Sequence, residues 1–318
     1  VTGYDGEGQL TSAISYCTSD DMPKIYIISG HNEYTLDSGF TTALEKENID
    51  YETISLMEYD AIPDDAECII IHAPEKDFSE DDANKVIDYL NNGGKAFITT
   101  EYVEEQMPNF EKILSEFGLT IEKGYAVDTN AGNYYQTPIY LLPNVEYSDE
   151  TTGLTGSHTY VMAPYAEAIA VPDVDVDSIT YTKLLTTSEK SLVKTDVKNA
   201  TSFDKEEGDI EGPLCIGVKA EKTLDSGSAV LYVFSSAQFF TDNVDNAVSG
   251  NNKTLFTNIM STIASHDVSV SVPVKSYDYD NLTASTKDVV LFETIVVILI
   301  PLALIITGFV IWFKRRKK

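Results

Sequence analysis

The sequence predicts a three-layer α/β domain built on a mostly parallel sheet, followed by one C-terminal membrane-spanning helix. Three observations carry this. From Lys24 to Phe117, short β-rich apolar runs alternate with amphipathic helical stretches, the pattern of βαβ units. One run, Glu67–Pro74 (ECIIIHAP), is apolar at nearly every position, as a strand buried on both faces must be. Near the end, Thr294–Phe313 holds twenty residues without a charge. The 318 residues, 35.1 kDa, suffice for one large or two ordinary domains.

The elements follow in order. Residues 1–22 form a lead-in segment, with a short helix expected over Asp5–Cys17. Lys24–Gly30 (KIYIISG) is a strand ending in a turn residue. Leu36–Asn48 has helical spacing at Leu36, Phe40, Ala43 and Leu44. Asp50–Leu56 and Glu67–Pro74 are the next strands. Ser79–Asn92 is a helix capped by Ser79, with Asp81 and Asp82 favouring its first turn and Asn91–Gly94 ending it. Lys95–Thr100 is a strand and Asn109–Phe117 a helix. The rhythm breaks near residue 125: 129–160 is rich in Asn, Gly, Thr and Tyr, and 129–210 reads as an irregular insertion or loops. Tyr181–Lys194, Pro213–Ala220 and Ser228–Phe234 are expected as strands and Asn251–His266 as a helix. These late elements are expected to rejoin the sheet, so that 23–266 is one α/β domain. Residues 267–288 read as a polar stalk, 289–313 as the membrane helix and 314–318 as a basic tail.

Charge narrows the function classes. The chain has 51 acidic and 22 basic residues, a net of −29. The last five residues, Lys314–Lys318, are all basic, so residues 1–288 carry 17 basic against 50 acidic groups, a net of −33. Such a surface repels phosphate backbones and excludes nucleic acid as a partner. At ~1.5 Å per residue the uncharged run spans ~30 Å, the hydrocarbon thickness of a bilayer. Trp312 and Phe313 mark its end, and the basic tail assigns that side to the cytoplasm, leaving the domain outside. The chain starts at Val1 without a signal peptide and reads as a piece of a longer polypeptide. Of three cysteines, Cys68 and Cys215 sit in apolar runs and Cys17 in the lead-in, with no disulfide framework.

Open α/β sheets bind ligands beyond the carboxyl ends of their strands. The candidate positions are therefore Gly30, His31, Asn32 and Glu33 after the first strand, Pro74 and Glu75 after the third, Glu101 after the fourth, and Ser235 and Gln238 after the late strand. His31 and Glu33 offer a base and its orienter, or two polar ligand contacts. The plainer alternative is that Gly30 turns the chain and its polar neighbours cap the next helix. No nucleophile elbow follows a strand, and pairing His31 with Ser235 or Ser236 is the route left to a hydrolase. His31, His72, His158 and His266 form no zinc motif, and no GxGxxG or P-loop follows the first strand. No metal or cofactor is expected. Tyr134, Tyr135, Tyr140 and Tyr147 are either a binding surface or the packing of the insertion.

Taken in order, KIYIISGHNE (Lys24–Glu33), ISLMEYDAIPDDA (Ile54–Ala66), Cys68–Pro74, DYLNNGGKAFIT (Asp88–Thr99), Ser235–Phe239 and Gly250–Asn258, closed by one membrane helix and a basic tail, resemble the GldG family. That family is the auxiliary component of an ABC-type transport system associated with gliding motility. In this chain Asn32 stands where the GHGE-type signature has Gly. The resemblance implies a flavodoxin- or class I glutamine amidotransferase-like ectodomain, non-enzymatic, working with an ABC permease and ATPase. The expected function is thus a membrane-anchored extracytoplasmic subunit, possessing no catalytic residues. The alternatives are a surface hydrolase or sugar-processing enzyme using His31 and Glu33, and a scaffold for cell-envelope partners.

Overall fold

The computed structural model describes residues 22–156, 159–172, 178–225, 227–264 and 284–316, with a few short stretches elsewhere. The expected stalk residues 267–283 and the expected helix over Asp5–Cys17 lie largely outside the described residues, as do Cys17, His158, His266, Lys317 and Lys318.

The first half alternates as the sequence predicts: β1 (Lys24–Ser29), α1 (Ser38–Lys46), β2 (Asp50–Ser55), β3 (Ala66–His72), α2 (Glu80–Asn91), β4 (Lys95–Thr99) and α3 (Pro108–Ser115). The middle holds short strands: β5 (Thr120–Glu122), β6 (Tyr125–Asp128), β7 (Tyr140–Leu141), β8 (Asn144–Val145), β9 (Ala163–Pro164), β10 (Ala168–Ala170), β11 (Ile179–Thr186), β12 (Ser191–Lys194) and β13 (Ile210–Glu211). The last part contains β14 (Cys215–Leu224), β15 (Gly227–Phe234), α4 (Asp242–Ala247), α5 (Asn251–Ile263) and α6 (Thr286–Arg316).

Five parallel strands lie in the order β2–β1–β3–β4–β15. This is the doubly wound order of flavodoxin-like sheets. Five further strands extend it antiparallel: β14 pairs β15, β10 and β11 both pair β14, β5 pairs β10, and β8 pairs β11. Period-two alternation sends side chains into two cores. Ile25, Ile27, Cys68, Ile70, Phe97, Tyr232 and Phe234 face α1 and α5, which add Phe40, Leu44, Leu255, Phe256 and Ile259. Tyr26, Ile28, Ile69, Ile71, Ala96, Ile98, Leu231 and Val233 face α2 and α3, which add Val86, Leu90, Phe110 and Ile113. On the first face Phe97 meets Phe240 and Phe256 edge-on, centroids 5.0 and 5.7 Å apart. With Cys68–Ile71 wholly buried, each aliphatic of β3 contributes roughly 2 kcal/mol of apolar burial.

Three expectations need correction. Residues 129–210 are not merely loops. Leu141, Leu154, Val161, Ala163, Leu184 and Val193 join the first core, and β10 and β11 become part of the main sheet. The run Tyr181–Lys194 is not one strand either. β11 pairs β14, whereas β12 turns away to pair β6 and β13 in a separate three-stranded sheet. The turn between them is fixed by Thr187 and Ser191, whose hydroxyls lie 2.6 Å apart, and by Leu214 N–H donating to Thr187 Oγ1. Finally, residues 284–288 are not stalk. Ser285 is buried and caps α6 by accepting from Asp288 N–H, and Lys287 N–H donates to the Ala131 carbonyl at 2.8 Å. Thr286–Arg316 is, among the described residues, the one helix long and apolar enough to cross a membrane.

Asn252, wholly buried on α5, ties the insertion to the core. Its Oδ1 accepts from Met162 N–H, and its Nδ2 donates to the carbonyls of Met162 and Phe239. Asn252→Ala leaves these backbone groups unpaired, so urea unfolding should show a loss of about 3 kcal/mol. Asn251→Ala, which removes one bond to the Tyr160 carbonyl, should cost about 1 kcal/mol.

Candidate functional site

Since β1 lies between β2 and β3, α1 and α2 cover opposite faces, and the loops after β1 and β3 diverge at their carboxyl ends. The backbone joins these loops. Tyr34 N–H donates to the His72 carbonyl, and Glu75 and Lys76 N–H both donate to the His31 carbonyl. The turns need left-handed backbone: Gly30 has φ +126°, Asn32 +59° and Ala73 +46°. Asn32 thus adopts a conformation glycine would take freely, which asparagine tolerates better than other side chains do. Its Nδ2 also donates to Glu75.

His31 is buried and lies flat on Phe78, ring centroids 3.8 Å apart and planes 9° from parallel. Its Nδ1 is 3.0 Å from Glu33 and its Nε2 3.4 Å from Asp82. Burial opposes the imidazolium, but the hydrogen bonds and charges of Glu33 and Asp82 outweigh it and raise the His31 pKa. Asp82 is also held by the Ser79 hydroxyl and by Lys85. Against burial, these bonds keep its carboxyl below the usual range. Both ring nitrogens face carboxylates. The ring clamps the β1 turn to the N-terminus of α2.

The other predicted positions separate. Pro74 is buried, while Glu75 is exposed. Ser235 donates to the carbonyls of Glu167 and Ile216, and Ser236 to that of Pro164. Among the described residues no hydrogen bond joins either serine to His31. Gln238 sits in a single turn, its carbonyl accepting from Thr241. Glu101 sits beside the Tyr34 phenol, and its Oε2 is buried with no hydrogen-bond partner among the described residues. Burial, reinforced by the charge of Glu75, raises its pKa. Burial likewise pushes the Tyr34 phenol up to about 12.

Sequence reasoning missed two partners here. Asp82, read only as a residue of a helix first turn, meets His31. Glu167 is 3% exposed at the start of β10 and accepts from the Thr100 hydroxyl at 2.9 Å. Burial pushes its carboxyl up to about 8, with the charges of Glu101 and Glu111 adding to the shift. The available signal was a lone acid inside the small apolar run Ala166–Ala170. Beside these acids stands a row of half-buried rings: Tyr102 to Tyr125 at 5.2 Å, Tyr125 to Tyr165 at 5.8 Å and Tyr165 to Tyr140 at 5.5 Å. Tyr134 instead supports α6, its carbonyl accepting from Thr286, and Tyr147 is 87% exposed.

Two consequences are measurable. The raised pKa values of Glu167 and His31 mean that the folded state holds extra protons, so stability falls as pH rises through neutrality. The slope contributed by Glu167 should approach about 1.4 kcal/mol per pH unit between its unfolded value and about 8. Thermal melts from pH 5 to 9 should show this decline, and Glu167→Gln should flatten most of it. At the β1 turn, Asn32→Gly should stay within about 0.5 kcal/mol of the parent in urea unfolding, whereas Asn32→Val should lose about 1–2 kcal/mol to the left-handed backbone.

Comparison with known proteins places the chain. No curated protein sequence matches it. Among solved structures, the mmIFT52 N-terminal domain is similar at a TM-score of 0.55 and 14% identity, covering 78% of this chain and 100% of that one. A glutamine amidotransferase from Thermotoga maritima aligns with a TM-score of 0.42 and 6% identity, over 77% of this chain and 100% of that one. The β-galactosidase from Rahnella sp. R3 aligns at 0.42 and 12%, over 83% of this chain and 35% of that one. The likeness to mmIFT52 concerns the fold, and the other two are too distant to argue from. The sequence itself matches the model of one family across residues 22–259, from just before β1 to within α5. On that match, the chain belongs to the auxiliary family of the ABC-type uncharacterized transport system.

Proposed function

We propose that this member of the family is a membrane-anchored extracytoplasmic subunit of GldG type, which performs no covalent chemistry and contacts a ligand or partner through the carboxyl end of its sheet. The observation that supports it is that Tyr34, Glu75 and Glu101, from the loops after β1, β3 and β4, lie close enough at the carboxyl end of the sheet to shift one another's titration. The serines that a hydrolase would need are engaged as donors to backbone carbonyls, which supports a binding role over the hydrolase reading. The partners are the permease and ATPase that complete an ABC transport system. Anchoring rests on the apolar helix α6, and orientation on Lys314, Arg315 and Arg316 at its end.

The full-length chain, extracted in mild detergent, should bring a permease and an ATPase with it through affinity purification. A clean isolated chain would overturn the transport assignment. Protease applied to intact cells should digest the domain and spare the basic end, and the reverse pattern would invert the topology.

A further inference from the structure

We propose that His31, Glu33 and Asp82 form a proton-operated latch: one proton on the imidazole fastens the β1 loop to α2, and its loss loosens the loop. This rests on the reading of the carboxyl end as a contact surface and adds its regulation.

Three buried side chains from two elements meet here. His31 is 7% exposed, and the side chains of Glu33 and Asp82 are 4% and 5% exposed. Glu33 Oε1 lies 3.0 Å from Nδ1 and Asp82 Oδ2 3.4 Å from Nε2. An imidazole with a single ring proton donates from one nitrogen and turns a lone pair outward at the other. A carboxylate at each nitrogen therefore favours the doubly protonated ring, which can donate to both. With one proton gone, one carboxylate faces a lone pair where little water screens the repulsion.

The other contacts decide which bond gives way. Glu33 is tied to its own loop, since its Oε2 also accepts from His31 N–H at 2.7 Å. Asp82 is tied to α2, since Ser79 Oγ donates to it at 2.8 Å and Lys85 Nζ lies 3.4 Å from its Oδ1. The longer contact, Nε2 to Asp82, is the one that crosses from the loop to α2. The singly protonated ring therefore keeps Glu33 and lets Asp82 go. The groups facing His31 are Glu33 from its own loop, Asp82 from α2 with Lys85 and Asp81 behind it, and, from the loop after β3, the Phe78 ring and the N–H groups of Glu75 and Lys76. The Glu75 carboxylate is engaged by Asn32.

The loop that is released carries Tyr34. That ring is 40% exposed and stands beside Glu101, Glu75 and Tyr125 on the contact surface. Past the latch, backbone bonds hold the loop: Tyr34 N–H donates to the His72 carbonyl, and the His31 carbonyl accepts from the loop after β3. These bonds do not depend on the imidazole, so the latch tunes how firmly Tyr34 is presented and does not unfold the loop. The sign follows from the raised pKa of His31: the loop is fastened below that value and loosens as pH rises through it.

The test pairs NMR titration of nitrogen-labelled histidine with amide hydrogen exchange, on the full-length protein in detergent from pH 5 to 9. His31 should titrate above the ordinary histidine value. Exchange over Asn32–Tyr34, corrected for its intrinsic pH dependence, should quicken roughly tenfold across that titration, as for the loss of one hydrogen bond to a charged group. Exchange in α5 should hold steady. Glu33→Gln and Asp82→Asn should each lower the His31 midpoint and carry the loosening to lower pH with it. His31→Phe, which keeps a ring on Phe78, should leave the loop loose at every pH, with unchanged circular dichroism excluding misfolding. A His31 midpoint at or below the ordinary value, exchange that ignores its titration, or a step that survives His31→Phe would overturn the latch. Copurified permease and ATPase with no such step would sink the latch alone. A working latch in a chain that copurifies neither would leave it standing and remove the transport assignment.

Discussion

The burial of β3 and β4 on both faces and along both edges is the constraint on which the structure depends. Cys68–Ile71 and Ala96–Ile98 reach no solvent, so each backbone group must find a strand neighbour and each side chain one of two cores. Both faces need covering, and α1 and α2 go to opposite ones. The divergence of the loops after β1 and β3 is a geometric result of that covering. Tyr34, Glu75 and Glu101 gather at that carboxyl end, where backbone bonds tie the two loops together.

The treatment of buried polar groups sets this end of the sheet apart. Asp128 accepts from Ser188 N–H, Ser188 Oγ and Asn130 N–H. Lys194 is met by Glu206, Asp209 and the Asp204 carbonyl. Glu150 is met by Lys219 and Tyr232. Each of these satisfied sites ties the insertion to itself or to the sheet, and removing a partner would strand a buried group. Glu101 and Glu167 are the contrast. Glu101 leaves Oε2 without a partner among the described residues, and Glu167, 3% exposed, is met by Thr100 alone, so burial raises both carboxyls.

Helix α6 shows the same economy in an apolar setting. Thr294 and Thr307 donate their hydroxyls to the carbonyls of Val290 and Ala303, four residues back, so both hydroxyl protons are satisfied within the helix. The helix widens to a π-helical stretch over Thr294–Leu299, just before Pro301. Proline lacks an N–H and crowds the preceding turn, and a wider turn is one of the ways a helix absorbs it. At the other end, Tyr160 and the Ala131 carbonyl seat the first turn against the domain, so helix and domain meet through made contacts.

Local periodicity and composition were enough to read the following features from the chain. The two-faced apolar run of β3, the stripe of Ala83, Val86, Ile87 and Leu90 on α2, the Ser79 cap and the uncharged run of α6 are all local signals; β3 and α2 appear within two residues of expectation, and α6 runs three residues further at each end than the expected 289–313. The loop positions at the strand ends were legible for the same reason. Tertiary structure alone decided the partners. Strands of two to four residues in the insertion have no period to read, and their register is set by hydrogen bonds to distant backbone, as when β10 joins β14 and β5. Likewise His31 finds Asp82, and Glu101 finds Tyr34 and Glu167, across gaps in sequence that no spacing rule spans. Burial, which turns a carboxylate into a carboxylic acid, belongs to the packed fold and to no residue alone.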